Sequence, residues 1–362
     1  MAKKDKTYKV PNLATYSPVS TSDIIIGGLG VNLACFAASF GLDIVPVETI
    51  IKHDWLYNVY SAINYHIPYY TATVMNYTML GMLGSAGLDF LCRPRISRKK
   101  DVSEKLDAPR GNTDIMTRLH KIDDICYAIN YDYTEKEYTM QEEAKIASDT
   151  LDEIIYKIEG VRQKTSSKVR NSKVMKYIFP HALGGCNLLS REIDFFGQMP
   201  YMSFSISAHE LAHRKSYFKE NDAEVLAHLA GFMTRDPVFI QSARYSRLRR
   251  ECQTIFEKYD KHNSDIPAKK LEKDYIDFVK VLKIPDKMKE LYLKEEFKPF
   301  SLAERAIMKV QIPLYKILMR IFGQKEGLIR YTGFFTEDLY ALENKYGSVE
   351  NLVTFLENKQ IS

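Results

Sequence analysis

His209-Glu210-Leu211-Ala212-His213 sets two imidazoles four residues apart, with a carboxylate directly after the first. On a helix, residues i and i+4 stand one above the other on a single face. Both rings can therefore reach one metal ion while Glu210 is aimed at a water on that ion. The chemistry this suits is metal-assisted hydrolysis. Zn2+ is the first expectation for two imidazoles and a carboxylate, although iron, cobalt or manganese also accept such ligands. Zinc lowers the pKa of its water toward ~7. Glu210 would take that water's proton, direct hydroxide at a polarised carbonyl, and pass the proton to the leaving amine.

A third protein ligand is required, and Glu220-Asn221-Asp222-Ala223-Glu224 offers three carboxylates soon after the motif. Glu220 and Glu224 are i and i+4 and share a helical face, whereas Asp222 points about 200° around the axis from Glu220. Glu220 is the expected metal ligand, with Glu224 orienting a ligand histidine. Asp222 is the competing metal ligand. His228 lies on the Glu224 face within an apolar run, where a histidine is more often a hydrogen-bonded core residue than a ligand. An oxyanion also needs a donor besides the metal. Tyr331 and His181 are catalytic candidates on side-chain chemistry alone, and Tyr245 has the same standing, although a structural role is the commoner one for each.

The elements that must position these groups follow from pattern. Met202 to Ala208 has no Gly or Pro and leads into the motif. Arg214 and Lys215 suit the last turn of a helix, where cations meet the negative end of its dipole. Ser216 to Lys219 is a turn, and Val225 to Met233 continues a second helix that Asp236-Pro237 ends. Upstream, Asp114 to Val161 is charged, with apolar residues at helical spacing. Val174 to Phe179 and Asn187 to Phe196 read as short strands separated by His181 to Gly185. The edge of such a sheet can hold an extended peptide. Downstream, Val238 to Tyr259 and further segments to Gln360 read as helices.

The run from His209 to Ala230 resembles a bacterial family of membrane-anchored, zincin-like proteins of unassigned function, with the approximate pattern HELAHQxGxxxExEANFxAYLA. Ser216 stands at that pattern's Gly, Asp222 at its second Glu and Glu224 at its Asn. Further similarity lies at Arg244-Tyr245-Ser246, at Tyr315, at Phe322 to Gly327 and at Tyr331, so the resemblance covers roughly residues 168–342. It implies a metallopeptidase-like domain behind N-terminal membrane spans.

The chain has 362 residues, 45% of them hydrophobic, enough for one sizeable core with an appended segment. A net charge of +5 over this length, without aromatics interleaved along a basic stripe, does not suggest nucleic-acid binding. The five cysteines are scattered and never in CxxC spacing, which argues against a disulfide framework or a cysteine-zinc site. Ile24 to Leu42 is free of charge and long enough to cross a bilayer. Tyr70 to Leu91 is a second possible span, preceded by an interfacial aromatic segment. Lys3, Lys4, Lys6 and Lys9 precede the pair, and Arg93, Arg95, Arg98, Lys99 and Lys100 follow it. A two-span hairpin places both basic clusters, and the domain after them, on the cytoplasmic side.

The expectation is a mainly α protein with a small β-sheet: a zincin-like metallopeptidase domain behind an N-terminal α-helical membrane hairpin. Residues 1–22 form a basic tail, 23–92 the membrane-associated helices, 93–113 a basic linker and 114–362 the catalytic domain. Its partners are a peptide or protein substrate and the lipid bilayer, and the sequence leaves oligomeric state open. The alternatives are a zinc hydrolase of a non-peptide amide or ester, and a membrane scaffold or sensor whose zinc site is structural or inactive.

Overall fold

The computed structural model describes residues 7–9, 19–42, 47–92, 100–172, 183–187, 190–196, 200–217, 219–262, 268–297 and 331–360, with single positions at 305 and 309. The chain is mainly helical with two small sheets. Its described residues fall into two units. One is drawn from Met1–Lys9, Pro94–Val169 and Gly197–Ser362, the other from Val10–Arg93 and Arg170–Phe196.

The second unit is built on a helical hairpin. Helix α1 spans Thr21–Leu42, and short helices α2 (Val47–Lys52) and α3 (Asp54–Ser61) lead through a π-helical turn, Ala62–His66, into α4 (Ile67–Cys92). The two long helices run antiparallel. Gly28 approaches Met75, Thr71 Oγ1 donates to Asn32 Oδ1 at 2.7 Å, and Ser39 Oγ donates to Asn64 Oδ1 at 2.5 Å. Outward positions carry large apolar side chains such as Leu33, Phe36, Trp55, Tyr69, Tyr77 and Leu80. Thr21–Ser39 is long and apolar enough to cross a membrane, and among the described residues no other helix meets both conditions.

The same unit contains a three-stranded sheet. Let β1 and β2 denote Thr7–Lys9 and Arg162–Lys164 of the first unit; the sheet's strands are β3 (Arg170–Asn171), β4 (Gly184–Cys186) and β5 (Ile193–Phe195). β5 is central, parallel to β3 and antiparallel to β4. Residues 184–185, expected as loop, are thus strand, and Val174 to Phe179 lies outside the described residues. The expected boundaries shift here: 170–196 groups with the hairpin, not with the domain of the HExxH motif. The cause is local. Helix α1 begins with unsatisfied backbone N–H groups, and the Thr21 amide donates to Glu192 at 3.0 Å while Ser20 Oγ donates to Asp194 at 2.9 Å.

The first unit is a helical assembly. Its helices are α5 (Val102–Lys105), α6 (Ile115–Tyr131), α7 (Met140–Glu159), α8 (Ser203–Arg214), α9 (Glu220–Met233), α10 (Pro237–His262), α11 (Ala268–Val281), α12 (Asp286–Glu296), α13 (Tyr331–Tyr346) and α14 (Val349–Asn358). α7 shows how sequence sets such an element. The Thr139 amide donates to Glu142 at 2.9 Å in a capping box, and Gly160 ends the helix at φ 71°. α8 packs on α7 and α9, and α9 also meets α10 and α13. Their shared surface is dry: Phe204, Leu211, Leu226, Leu229, Leu248 and Leu339 are fully buried.

Two segments read as a basic tail and a basic linker contain regular structure. The N-terminal tail contributes β1, which pairs in parallel with β2 in the register Thr7↔Arg162, Tyr8↔Gln163 and Lys9↔Lys164. The linker of 93–113 contains α5, and Val102, Ser103, Leu106 and Ala108 are buried. Charge and proline made this stretch read as a solvated connector, but Val102, Leu106 and Ala108 are packed into the core.

Candidate metal centre

Helix α8 carries the HExxH residues on a face turned toward the start of α9. The rings of His209 and His213 are perpendicular, with centroids 4.6 Å apart, and their Nε2 atoms are 3.0 Å apart. Glu220, the first residue of α9, places Oε2 3.1 Å from His209 Nε2 and Oε1 3.5 Å from His213 Nε2. Ligand atoms bound tetrahedrally at about 2.0–2.1 Å from zinc are roughly 3.3 Å from each other. The three side chains therefore form a triangle whose donor atoms, one from each residue, lie within 4.8 Å of one another, close enough to share one ion. The Glu220 side chain is 50% exposed, so one side of the triangle opens to solvent.

The turn after α8 fixes one ligand. The Ser216 amide donates to His213 O at 3.0 Å and the Tyr217 amide to Ala212 O at 3.1 Å, with Ser216 at φ 79°. This is a Schellman ending, and its left-handed position is the one where glycine is easiest. The turn brings the Tyr217 carbonyl 2.6 Å from His213 Nδ1. A proton on Nδ1 is donated there, which in the neutral ring leaves the Nε2 lone pair free for a metal ion.

The other histidine is flanked differently. His209 Nδ1 has no hydrogen-bond partner among the described residues, and Glu224 Oε1 stands 3.9 Å from it, beyond hydrogen-bond length. Glu224 is held instead by Arg250 of α10, whose guanidinium donates to Oε1 at 2.5 Å. The sequence reading overlooked Arg250. It shares a helical face with Ser242 and Ser246, and Ser242 Oγ accepts the Ser205 amide of α8 at 3.1 Å, but nothing in that spacing marks it as the partner of Glu224.

Electrostatics favours positive charge at this point. Burial pushes the His209 imidazole down, but its hydrogen bond to Glu220 and the charges of Glu224, Glu220 and Glu210 prevail and lift it to about 9. Burial opposes ionisation of Glu220, yet the two histidines hold its carboxyl well below the ordinary carboxylate range. Glu224 is lowered against burial by Arg250 and His209. Glu210 moves the other way: burial raises it, only partly offset by the two histidines. A raised carboxylate beside a cation site is suited to accept and return a proton.

The remaining candidates separate. Asp222, the competing ligand, is not brought to the histidines. It is buried on the opposite side of α9, where Oδ1 accepts the Val102 amide at 2.7 Å, as its angular offset from Glu220 requires. Burial raises its carboxyl to about 6. His228 is buried beside Phe232 and Phe335, and burial together with Arg247 pushes it down to about 3, so it is a neutral core residue. Tyr245 is also core, donating to Met288 O at 3.1 Å between Tyr201 and Tyr292. Tyr331 opens α13, but its side chain lies outside the described residues, as does His181.

A family model described as "Protein of unknown function (DUF3810)" matches residues 12–336. No curated protein and no solved structure matches the chain.

Proposed function

Because the chain belongs to the DUF3810 family, whose description assigns no function, its chemistry has to be read from the site; we propose that it is a zinc-dependent metallopeptidase of zincin type, anchored in a membrane. The observation that carries the reading is the convergence of His209 Nε2, His213 Nε2 and the Glu220 carboxylate, with their donor atoms within 4.8 Å of one another. Glu210 supports the reading from the same helix: it is buried, and its carboxyl feels the charges of both histidines.

When bound, zinc supplies a Lewis acid for the substrate carbonyl and acidifies a water. His209, His213 and Glu220 hold the ion. Glu210, raised by burial, takes the proton from the attacking water and returns it to the departing amine. The Tyr217 carbonyl fixes the tautomer of His213, and Glu224, fixed by Arg250, faces His209. A purely structural zinc site has no use for a carboxylate in the position of Glu210, which favours hydrolysis over a scaffold role. The apolar length of α1 supports an anchor, with α4 as the returning arm of the hairpin. The basic residues on either side of the hairpin favour a cytoplasmic site.

The test is elemental mass spectrometry on full-length protein purified without added metal, then peptide-library hydrolysis. About one zinc per chain in wild type, lost in His209→Ala, with hydrolysis abolished but zinc retained in Glu210→Gln, is the expected result. Folded wild type that takes up no zinc on reconstitution, or full hydrolysis by Glu210→Gln, refutes the reading.

A further inference from the structure

We propose that Asp338 of α13 and the segment 101–110 form a clamp that positions Glu220, so that Asp338 and Asn221 are positioning residues for the third metal ligand. The inference rests on the metal-site reading above and concerns what makes that site tight.

Glu220 is poorly placed to hold itself. It is the first residue of its helix, and the residue before it, Lys219, provides no side-chain cap. The first turn of a helix has unsatisfied N–H groups and frays readily without such a cap. Among the described residues, the half-exposed Glu220 carboxylate pairs only with the two histidines. A ligand on a fraying turn is displaced by more than the half-ångström tolerance of a tight metal site.

The residues around Glu220 supply what is missing. Lys219 pairs with Asp101. Asn221 Nδ2 donates to Asp338 Oδ2 at 3.0 Å. Asp222 Oδ1 accepts the Val102 amide at 2.7 Å. Asp338, itself 1% exposed, also accepts from Ser103 Oγ at 2.8 Å and from Arg110 through Nε at 2.9 Å and a terminal nitrogen at 2.7 Å. Arg110 closes the ring by donating to Asp101 Oδ2 at 3.0 Å. Three close neighbours of Glu220, at 219, 221 and 222, are therefore tied to the 101–110 segment and Asp338, through buried bonds at Asn221 and Asp222 and an exposed ion pair at Lys219. Glu220 alone in that run is directed at the histidines. Charge-assisted and bidentate bonds of this kind are the strong ones, and buried they hold a single geometry.

The experiment compares zinc dissociation constants, by competition with a chromophoric chelator, for full-length wild type, Glu220→Gln, Asn221→Ala and Asp338→Asn. Absorption spectra of the Co2+-substituted proteins report ligand number, and thermal unfolding of the metal-free proteins reports the fold. Asn221→Ala and Asp338→Asn are expected to weaken zinc about 10- to 100-fold, as loss of outer-shell support does. Their cobalt spectra should shift toward that of Glu220→Gln while metal-free Asn221→Ala still unfolds cooperatively. Wild-type affinity and a wild-type cobalt spectrum in both variants, with Glu220→Gln impaired, overturn the clamp and leave the metal site standing. Wild type that binds no zinc, or Glu220→Gln that binds it normally, overturns the metal-site reading and the clamp with it. If Asp338→Asn does not fold, Asn221→Ala and Ser103→Ala decide the matter on the same two readouts.

Discussion

Gly231→Ala sets two effects of opposite sign against each other, and the packing of α9 on α10 decides between them. Glycine in a helix interior costs about 1 kcal/mol relative to alanine, so propensity alone predicts a more stable protein. At this position, however, an added Cβ would lie 2.7 Å from Ala243 Cβ and 2.8 Å from Phe239 O. Carbon atoms prefer separations of about 3.5–4.0 Å, so the two helices must part by roughly 1 Å. Neither neighbour can swing aside, because one is a backbone oxygen and the other is attached directly to the backbone. Phe239 and Ala243 are fully buried, and overpacking of such a layer costs about 1–3 kcal/mol. The net expectation is destabilisation by about 1 kcal/mol, a fall in melting temperature of roughly 2–4 °C for a unit of this size. Ala243→Gly in the same chain should recover only part of the loss, since Phe239 O remains. Urea unfolding followed by far-ultraviolet circular dichroism is the assay, because the single tryptophan, Trp55, reports on the hairpin instead. A gain of about 1 kcal/mol in Gly231→Ala would refute the close approach of α9 and α10 and return the decision to propensity.

Three further outcomes follow from named contacts. Glu143 is buried and raised to about 7 despite the hydroxyl of Ser203 at 2.9 Å, so the folded protein binds more protons than the unfolded chain between the ordinary value of 4.5 and 7. Stability contributed by this group therefore falls as pH rises through that window; Glu143→Gln should melt higher than wild type near pH ~8 and about level with it near pH ~5, and equal differences at both would count against it. Lys215 is fully buried and donates to Asp152 at 2.7 Å, Thr165 Oγ1 at 3.1 Å and Gln163 O at 3.2 Å. Asp152→Ala strands that charge and should cost about 3–5 kcal/mol, more than Lys215→Met, and equal costs in denaturant unfolding would defeat the argument. In the hairpin, the Thr71–Asn32 hydrogen bond of 2.7 Å should yield a coupling near 0.6 kcal/mol in an Asn32→Leu, Thr71→Val double-mutant cycle in detergent, and zero coupling would deny the pairing.

The convergence of His209, His213 and Glu220 was legible because helical geometry is periodic. Spacing alone stacks His209 over His213 and separates Glu220 and Glu224 from Asp222, and the structure places the three acids on those faces. What spacing cannot reach is contact between distant segments. Asp101 to Arg110 looks like a linker because five of its ten residues are charged, yet Asp101, Lys105 and Arg110 pair with Lys219, Glu159 and Asp338 elsewhere in the first unit. Arg250 and Asp338 carry no motif and acquire meaning only through Glu224 and Asn221. The sheet was misplaced for a similar reason. Its strands are two or three residues long, too short for alternation to show, and their grouping with the hairpin depends on carboxylates that satisfy the start of α1.

Arg214 and Lys215 show how a correct local reading can miss the larger role. Their position in the last turn of α8 suits the helix dipole, but both are buried, where dipole interaction alone cannot offset desolvation. Their donors hold the chain that follows α7: Arg214 bonds Ser166 O at 2.6 Å and Lys168 O at 3.0 Å, and Lys215, besides its ion pair with Asp152, bonds Thr165 Oγ1 and Gln163 O. The end of α8 is thereby tied to β2 and the chain that follows it. That attachment bears on the candidate metal centre because only six residues separate His213 from Glu220. The left-handed Ser216 must turn the chain, present the Tyr217 carbonyl to His213 and still deliver Glu220 to the same point. A freely moving helix end would spread the positions of both ligands together, since the turn transmits its motion to the start of α9. Buried cations at 214 and 215 therefore constrain the triangle from the end of α8, as the 101–110 segment and Asp338 constrain it from the start of α9.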